Sequence, residues 1–552
     1  MSSGILGIGT SGLLAFQRGL TVTGHNIANA ATEGYSRQRV DLNTRTPQFA
    51  GNGYVGTGVE VGGVNRVFDQ FVENQLRTAT SSSAQYSQFY DYAKRVDSLL
   101  ASPDSGLAPG LQRFFGAVQD VATDPTSLPA RQVMIAEGES LSDRFRSLHQ
   151  QLENQRTLVN GQIETTVAEI NSLAQALADL NQSIVGATGR AGGASPNDLL
   201  DQRDRLVREL AERVNVTTVP QDDGALNVFI GNGQSLVVGS TASELVAAPL
   251  GEDPMQVGIG YAGAGAGGTV SDISRFMTGG RLGALLDLRS SVLDTAQNAL
   301  GLTAVGLAQR FNELHMQGQD LQGMPGGEFF KAPEPQVLAR PGNSATGVPA
   351  VGFGDPAQLT TEDFRLRFNG TDWELRRLSN NQPVDDWASV GLAIDVGPIN
   401  GAAVGDSFLI RPTRTAAADI GIAIDDPRKI AAAEGNGDGD NGAVPVGDNR
   451  NALKLAGLQD ERFLAGGTAT LEGTYNTMIG EVGTRTRQAE IASQSQARML
   501  DDARNMRDSI SGVNLDEEAA NLLRYQQAYQ AAAQVIAVSS TLFDTLLGAV
   551  RR

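Results

Sequence analysis

Gly7, Gly9 and Gly12 fall in the spacing G-x-G-x-x-G, which in a dinucleotide-binding unit turns a strand into a helix whose N-terminus holds a pyrophosphate. That chemistry needs a buried strand before the first glycine, and only six residues precede Gly7. The acid that would hold a ribose about 20 residues on could only be Glu33, which lies in the turn-like stretch "ATEGYSR" rather than at the end of an apolar strand. The glycines therefore carry no nucleotide chemistry and need another explanation. The acidic run "AEGNGDGDNGAVPVGDN" (433–449) invites a calcium loop. Counted from Asp438, however, its twelfth position is Asn449, where a bidentate Glu is required, so the run reads as a flexible linker. His25, His149 and His315 are the only histidines, none in an H-E-x-x-H setting, and no G-x-S-x-G is present. The chain has no cysteine, which excludes disulfides, thiolate metal sites and a cysteine nucleophile. The carboxylates in "LLDQRDRLVREL" read as solvated or salt-bridged helix faces. No catalytic, cofactor or metal site emerges, and the expected function is not enzymatic.

The elements that could position a function are long helices at both ends. Leu6, Leu13, Leu20 and Ile27 recur every seven residues beside Phe16, predicting one apolar stripe on a helix. Gly7, Gly9, Gly12, Gly19 and Gly24 fall in the same span. Each interior Gly costs about 1 kcal/mol against Ala, so this helix needs a partner, and small residues let that partner approach closely. Near the other end a 4-3 spacing runs Leu515, Ala519, Leu522, Gln526, Tyr529, Ala533, Ile536, Ser540, Phe543, Leu547, Val550. Gly512 is the expected stop of the helix before it, Asn514 its N-cap, and Asp516, Glu517 and Glu518 are first-turn acids that suit the dipole. Residues 130–186 carry Leu141, Phe145, Leu148, Leu152, Ile170, Leu173, Leu177, Leu180 and Ile184 without a proline, and 280–317 and 468–511 also read as helix.

The middle changes character. "VNVTTVPQDDGALNVFIGNGQSLVV" alternates and carries turn glycines, as strands do. In "FRLRFNGTDWELRRL", Asn369-Gly370 predicts a two-residue type I′ turn pairing Leu366 with Trp373, Phe364 with Leu375 and Arg365 with Glu374. A four-residue loop would set Arg365 opposite Arg376, which like-charge repulsion disfavours. The expected fold is a multidomain α+β chain, a long helical bundle built from both chain ends with an inserted β-rich domain. Its divisions are 1–60 (N-terminal assembly helix and extended arm), 61–323 (helical rod with a small β region at about 214–270), 324–445 (β-rich insertion), 446–511 (second part of the rod) and 512–552 (C-terminal assembly helix).

With 43 basic and 62 acidic residues the net charge of −19 argues against a nucleic-acid partner. Residues 1–50 are net +2 and 503–552 net 0, so both ends are free of the repulsion that would oppose packing many copies side by side. There is no basic and apolar leader at the N-terminus, and no apolar run is expected to approach the ~18 residues of a membrane span, so export would proceed without a cleaved signal peptide.

"NIANAATEGYSRQRV" (26–40) resembles the N-terminal signature, and "SGVNLDEEAANLLRYQQAYQAAAQVI" (511–536) the C-terminal signature, of the bacterial flagellar rod, hook and hook-associated axial proteins. The chain length, "GYSRQ", "NDLLDQRD" and "NGQSLVVG" are most similar to the hook-associated branch at the junction between hook and filament. The resemblance implies that the terminal helices pair in the inner tube of an extracellular axial structure, with self-assembly into a ring. It implies export by the flagellar type III apparatus, a cytoplasmic chaperone on the C-terminal helix, and the hook protein and a second junction protein as neighbours. Carried onto this chain, Asn26, Asn29, Gly34, Tyr35 and Arg37, with Leu6, Leu13, Phe16, Leu20 and Ile27, become the N-terminal assembly interface. Asn26, Asn29 and Gly34 are expected to end the helix and turn the chain, with Tyr35 and Arg37 on the arm beyond. Leu515, Leu522, Tyr525, Tyr529, Ile536, Phe543 and Leu547 become the C-terminal assembly or chaperone interface. Another axial protein, hook or distal rod, is the alternative within this class. A secreted adhesin or enzyme with a pocket of convergent polar groups around the Phe364–Leu378 hairpin is the alternative outside it.

Overall fold

The computed structural model describes residues 2–49, 51, 53–102, 106–190, 194–262, 270–434 and 447–550; most of the acidic glycine run (435–446) and the tail after Val550 lie outside them. Among the described residues the helices are α1 (Ser2–Ala28), α2 (Gln70–Leu100), α3 (Ala108–Thr123), α4 (Leu128–Arg190), α5 (Asn197–Arg213), α6 (Gly280–Leu288), α7 (Asp294–Met316), α8 (Ala416–Asp419), α9 (Arg450–Gly457), α10 (Leu471–Ser511) and α11 (Leu515–Val550). The sequence reading of a helical protein built from both ends around a β-rich insertion therefore holds.

The 63 residues of α4 form one unbroken rod, roughly 95 Å long at 1.5 Å per residue. It starts where the Ser127 hydroxyl accepts the Ala130 N–H, with Pro129 in the first turn where its missing N–H costs nothing. Leu141, Phe145, Leu148, Leu152, Ile170, Leu177 and Ile184 are all buried along its inner face. α2 and α10 lie antiparallel: Leu76 and Ala79 pack on Ala503, and at the other end the Tyr475 hydroxyl donates to the Leu100 carbonyl and accepts the Leu107 N–H. α10 stops at Gly512, and Asn514 caps α11 by accepting the N–H groups of Asp516 and Glu517. The expected arm after α1 is an antiparallel hairpin, Gln38–Thr44 against Val59–Arg66, extended at its tip by Gln48–Phe49 against Tyr54–Val55. One expectation fails on composition. Leu471–Ala549 contains an 18-residue window of mean hydropathy 1.3, long and apolar enough to cross a bilayer, where Ser539, Ser540 and Thr541 hide it from a search for continuous apolar runs.

The β region after α5 is a four-stranded antiparallel meander (Val216–Pro220, Leu226–Ile230, Gln234–Val238, Thr241–Ala242) followed by a three-stranded sheet centred on Val257–Ala262. In the insertion a five-stranded sheet runs in the order Gln336–Ala339, Ser407–Arg411, Phe364–Phe368, Trp373–Arg377, Pro383–Val384. Its central hairpin corrects the predicted turn. Leu366 pairs with Leu375 and Phe368 with Trp373, so the loop has four residues and Arg365 does stand opposite Arg376. The repulsion is removed because each guanidinium has its own carboxylate: Arg365 binds Glu252 at 2.8 Å, and Arg376 binds Glu374 at 3.0 Å. The Asn369 carboxamide oxygen, accepting from both Thr371 and Asp372 N–H, closes the longer turn, and Leu366 and Leu375 share the buried face.

The end of α7 meets α3 in a cluster of Phe114, Phe115, Phe311, Phe329 and Phe330, with Phe311 and Phe329 ring centroids 4.9 Å apart. His315 is fully buried beside it; its Nδ1 donates to the Gly327 carbonyl at 2.7 Å while Nε2 accepts the Ala431 N–H at 2.9 Å. It is a structural histidine. Burial pushes its imidazole down to about 4, and a second proton would turn Nε2 into a donor facing another donor. Because this pKa lies below the ~6.5 of the unfolded chain, the unfolded state takes up the proton first. The stabilisation is complete above about pH 6.5 and is lost as the pH falls toward 4. Denaturant titrations should therefore show stability falling across that window by on the order of 3 kcal/mol more in the native chain than in His315→Gln.

Candidate assembly interface

α1 and α11 run antiparallel, and the seam between them is made of the smallest side chains. A methyl group at Gly9 would stand 2.8 Å from Ile536 Cγ1, and one at Gly19 would meet the Tyr525 ring at 2.9 Å, while Gly12 faces Ala532 at 3.7 Å. Tyr525 and Ile536 thus sit in hollows that only glycine leaves open. Gly7 and Gly24, by contrast, face open space, and a methyl group at Gly12 would make only ordinary contact, so close packing demands glycine at Gly9 and Gly19 alone. The seam continues through Ala15, Val22 and Asn26 on α1 and through Glu518, Ala532 and Ser539 on α11, all buried. It is offset by one residue from the predicted leucine stripe. Leu13, Phe16 and Leu20 are half-buried at its edge, and Leu6 (43 %) and Ile27 (37 %) are exposed. On α11, Leu522, Tyr525, Tyr529 and Ile536 are half-buried, whereas Leu515, Phe543 and Leu547 are exposed.

At the rod end of this pair Asn26 is 1 % exposed, lies inside α1 rather than ending it, and uses its whole carboxamide. Its oxygen accepts the Tyr35 hydroxyl at 2.8 Å and the Gln38 N–H at 2.9 Å; its nitrogen donates to the Gln38 carbonyl at 2.9 Å and to Glu518 at 3.0 Å. Asn29 ends the helix, its Nδ2 donating to the His25 carbonyl, and Gly34 turns the chain at φ +82° against the Arg208 side chain. Tyr35 folds back and is buried, and that burial, with Asp198, Asp201 and Glu518 near, holds its phenol well above the ordinary range. Arg37 donates to Glu517 at 2.6 Å, its N–H donates to the Ser511 carbonyl, and Arg507 donates to the Tyr35 carbonyl.

α5 supplies the third side of this node. Asp201 accepts the Ser36 N–H at 2.9 Å and pairs with Arg66 at 3.0 Å; Arg66 also reaches Asp204 at 2.6 Å, and Asp198 accepts from Gln38. Asp201 and Asp204 are buried rather than solvated, Asp198 is exposed, and burial raises the Asp201 carboxyl above its ordinary value. The sequence segments 26–38, 198–204 and 507–518 thus meet in one place. Sequence reasoning singled out Gly9 and Gly19 as positions of close approach but missed Ala532, Glu518, Asp201 and Asp204. The available signal was a second heptad beside the leucines, Gly12, Gly19 and Asn26, matched by Glu518, Tyr525, Ala532 and Ser539.

The family model described as "Flagellar hook-associated protein FlgK helical domain" matches residues 93–330, and "Flagellar basal body rod FlgEFG protein C-terminal" matches residues 507–549. Flagellar hook-associated protein 1 of Salmonella typhimurium is 37 % identical over 556 residues, covering 99 % of both chains. The protein of the same name from Escherichia coli is 35 % identical over 550 residues, again covering 99 % of both. The solved structure of the flagellar hook junction protein FlgK from Burkholderia pseudomallei shares the fold, with a TM-score of 0.71 at 24 % identity over 79 % of this chain and all of that one.

The glycine geometry predicts opposite signs at equivalent-looking positions. Gly19→Ala should push Tyr525 off the seam and cost about 1–3 kcal/mol of α1–α11 pairing. Gly7→Ala should gain about 1 kcal/mol of helix propensity at no steric cost. Amide-exchange protection of α11 in the assembled state of the two variants reads the difference.

Proposed function

This chain belongs to the flagellar hook-associated protein 1 family, and from that premise we propose that its copies join into the hook–filament junction through the paired terminal helices. The observation that carries this reading is the uncovered apolar surface of that pair. Leu14 is 63 % exposed on α1, and Leu523 (58 %), Val538 (59 %) and Leu546 (56 %) are exposed on α11. Burying apolar surface at about 25 cal/mol per Å² makes neighbouring copies the natural cover. Residues 1–60 and 512–552 are then the assembly segments, and 61–323 with 446–511 the rod that carries the insertion 324–445. Its neighbours would be further copies of itself, the hook protein and a second junction protein. A cytoplasmic chaperone would cover α11 before export, without a cleaved signal peptide, to the extracellular flagellum. The reading assigns the chain no catalysis. Polar side chains around the Phe364–Leu378 hairpin are committed to each other, Asn369 and Arg376 to Glu374 and Arg377 to Glu362.

Ile536 and Leu522 are the residues to charge. Ile536→Asp and Leu522→Asp are expected to abolish incorporation into junctions in complemented cells and to leave the circular dichroism of the rod and insertion intact; normal incorporation of both would refute the assignment. In hydrogen exchange on the purified monomer, residues 1–60 and 505–552 should exchange rapidly around a protected middle. Slow exchange at both ends would mean that the terminal pair is already complete before assembly.

A further inference from the structure

Beside the apolar contact in which Phe329 and Phe330 of the insertion pack on Phe114 and Phe311 of the rod, a buried ionic network joins the two. Arg156 of α4 binds Asp294 of α7 at 2.5 Å, and Arg414 of the insertion binds the same Asp294 at 2.6 Å and Asp363 at 2.6 Å. The Arg414 Nε donates to Asn298 of α7, whose own Nδ2 donates to the Thr361 carbonyl and to Asp363. A second arm reaches the loop before Val257–Ala262. Arg411 binds Asp253 at 2.7 Å, and Glu252 accepts from Arg365 at 2.8 Å and from the Ser407 hydroxyl at 2.9 Å. Arg156, Arg411, Arg414, Asp363, Asp253 and Glu252 are each less than 9 % exposed. Burial works against charge on Asp294, yet Arg414 and Arg156 hold its carboxyl below the usual range. At the same contact Gly301 of α7 lies so close to the Thr413 carbonyl that a Cβ would stand 1.7 Å from that oxygen.

Ion pairs of this kind add little net stability over apolar residues of equal volume, because desolvation offsets attraction. They do demand one geometry, since any tilt leaves a buried charge unpaired. We propose that this network is an orientation lock that holds the β insertion at one attitude to the helical rod, so that force entering one leaves through the other without a hinge. The inference rests on the reading of the chain as an axial structural part.

Because the chain has no cysteine, spin labels can be placed singly at Gln150→Cys on α4 and Thr371→Cys on the insertion hairpin, both exposed. Pulsed dipolar spectroscopy on the full chain should give one narrow distance. The charge-neutral replacement Arg156→Met, Asp294→Leu, Asp363→Leu, Arg414→Met should keep cooperative thermal unfolding and at least double the width of that distribution. A broad distribution in the native chain, or a narrow one in the folded quadruple variant, would overturn the proposal. Should the quadruple variant fail to fold, Glu252→Met with Arg365→Leu is read in the same way, broadening supporting the lock and an unchanged width refuting it. Incorporation of the native chain into junctions is scored separately: failure there would refute the axial reading and leave the label distances unaltered.

Discussion

Everything at the rod end of the terminal helices depends on one carboxamide. Asn26 is buried and has four hydrogen-bonding positions, and all four are met only if α1, the Tyr35–Gln38 strand entry and the start of α11 arrive together. A group of this kind is costly when half satisfied, by roughly 1–3 kcal/mol for each lost partner, so the site discriminates sharply between the complete arrangement and any partial one. The chain positions that meet at this contact are 492 apart, so its closure carries the loop entropy of nearly the whole chain.

The pair above the node is built on a different principle. Its seam sets small residues, Gly9, Gly12, Ala15, Gly19 and Ala532, against one another and against Tyr525 and Ile536, and the remaining large side chains stand on the flanks and outer faces. Close backbone approach fixes register and direction, and the apolar surface is left outward. Such a pair is weak as an isolated object and gains when something covers its sides, which is the property expected of a segment that completes itself on assembly.

Much of this was legible. Helix positions, the Gly512 stop, the Asn514 cap and the inner face of α4 follow from periodicity and capping chemistry, because those signals are local. The failures have a common physical cause. The leucine stripe of α1 runs one residue away from the buried seam, because large apolar side chains mark its edge while the glycines and Ala15 mark the contact itself. The Arg365–Arg376 opposition looked prohibitive because Glu252, distant in sequence, could not be seen to neutralise one partner. Asp201 and Asp204 read as surface charge because their partners, Ser36 and Arg66, come from another segment. In each case a non-local partner reversed the sign of a local argument.

The unbroken length of α4 has an evolutionary corollary. Adding or deleting one residue in a continuous helix turns everything beyond it by about 100° and shifts it by about 1.5 Å. A single indel within Leu128–Arg190 would therefore swing Arg156 away from Asp294, or carry Leu177 and Ile184 out of the core, according to its place. Length in this segment is consequently quantised: only changes near whole numbers of turns, such as seven or eleven residues, return the inner face to register. The loops are under no such constraint, and the rod acts as a ruler whose length can change only in steps.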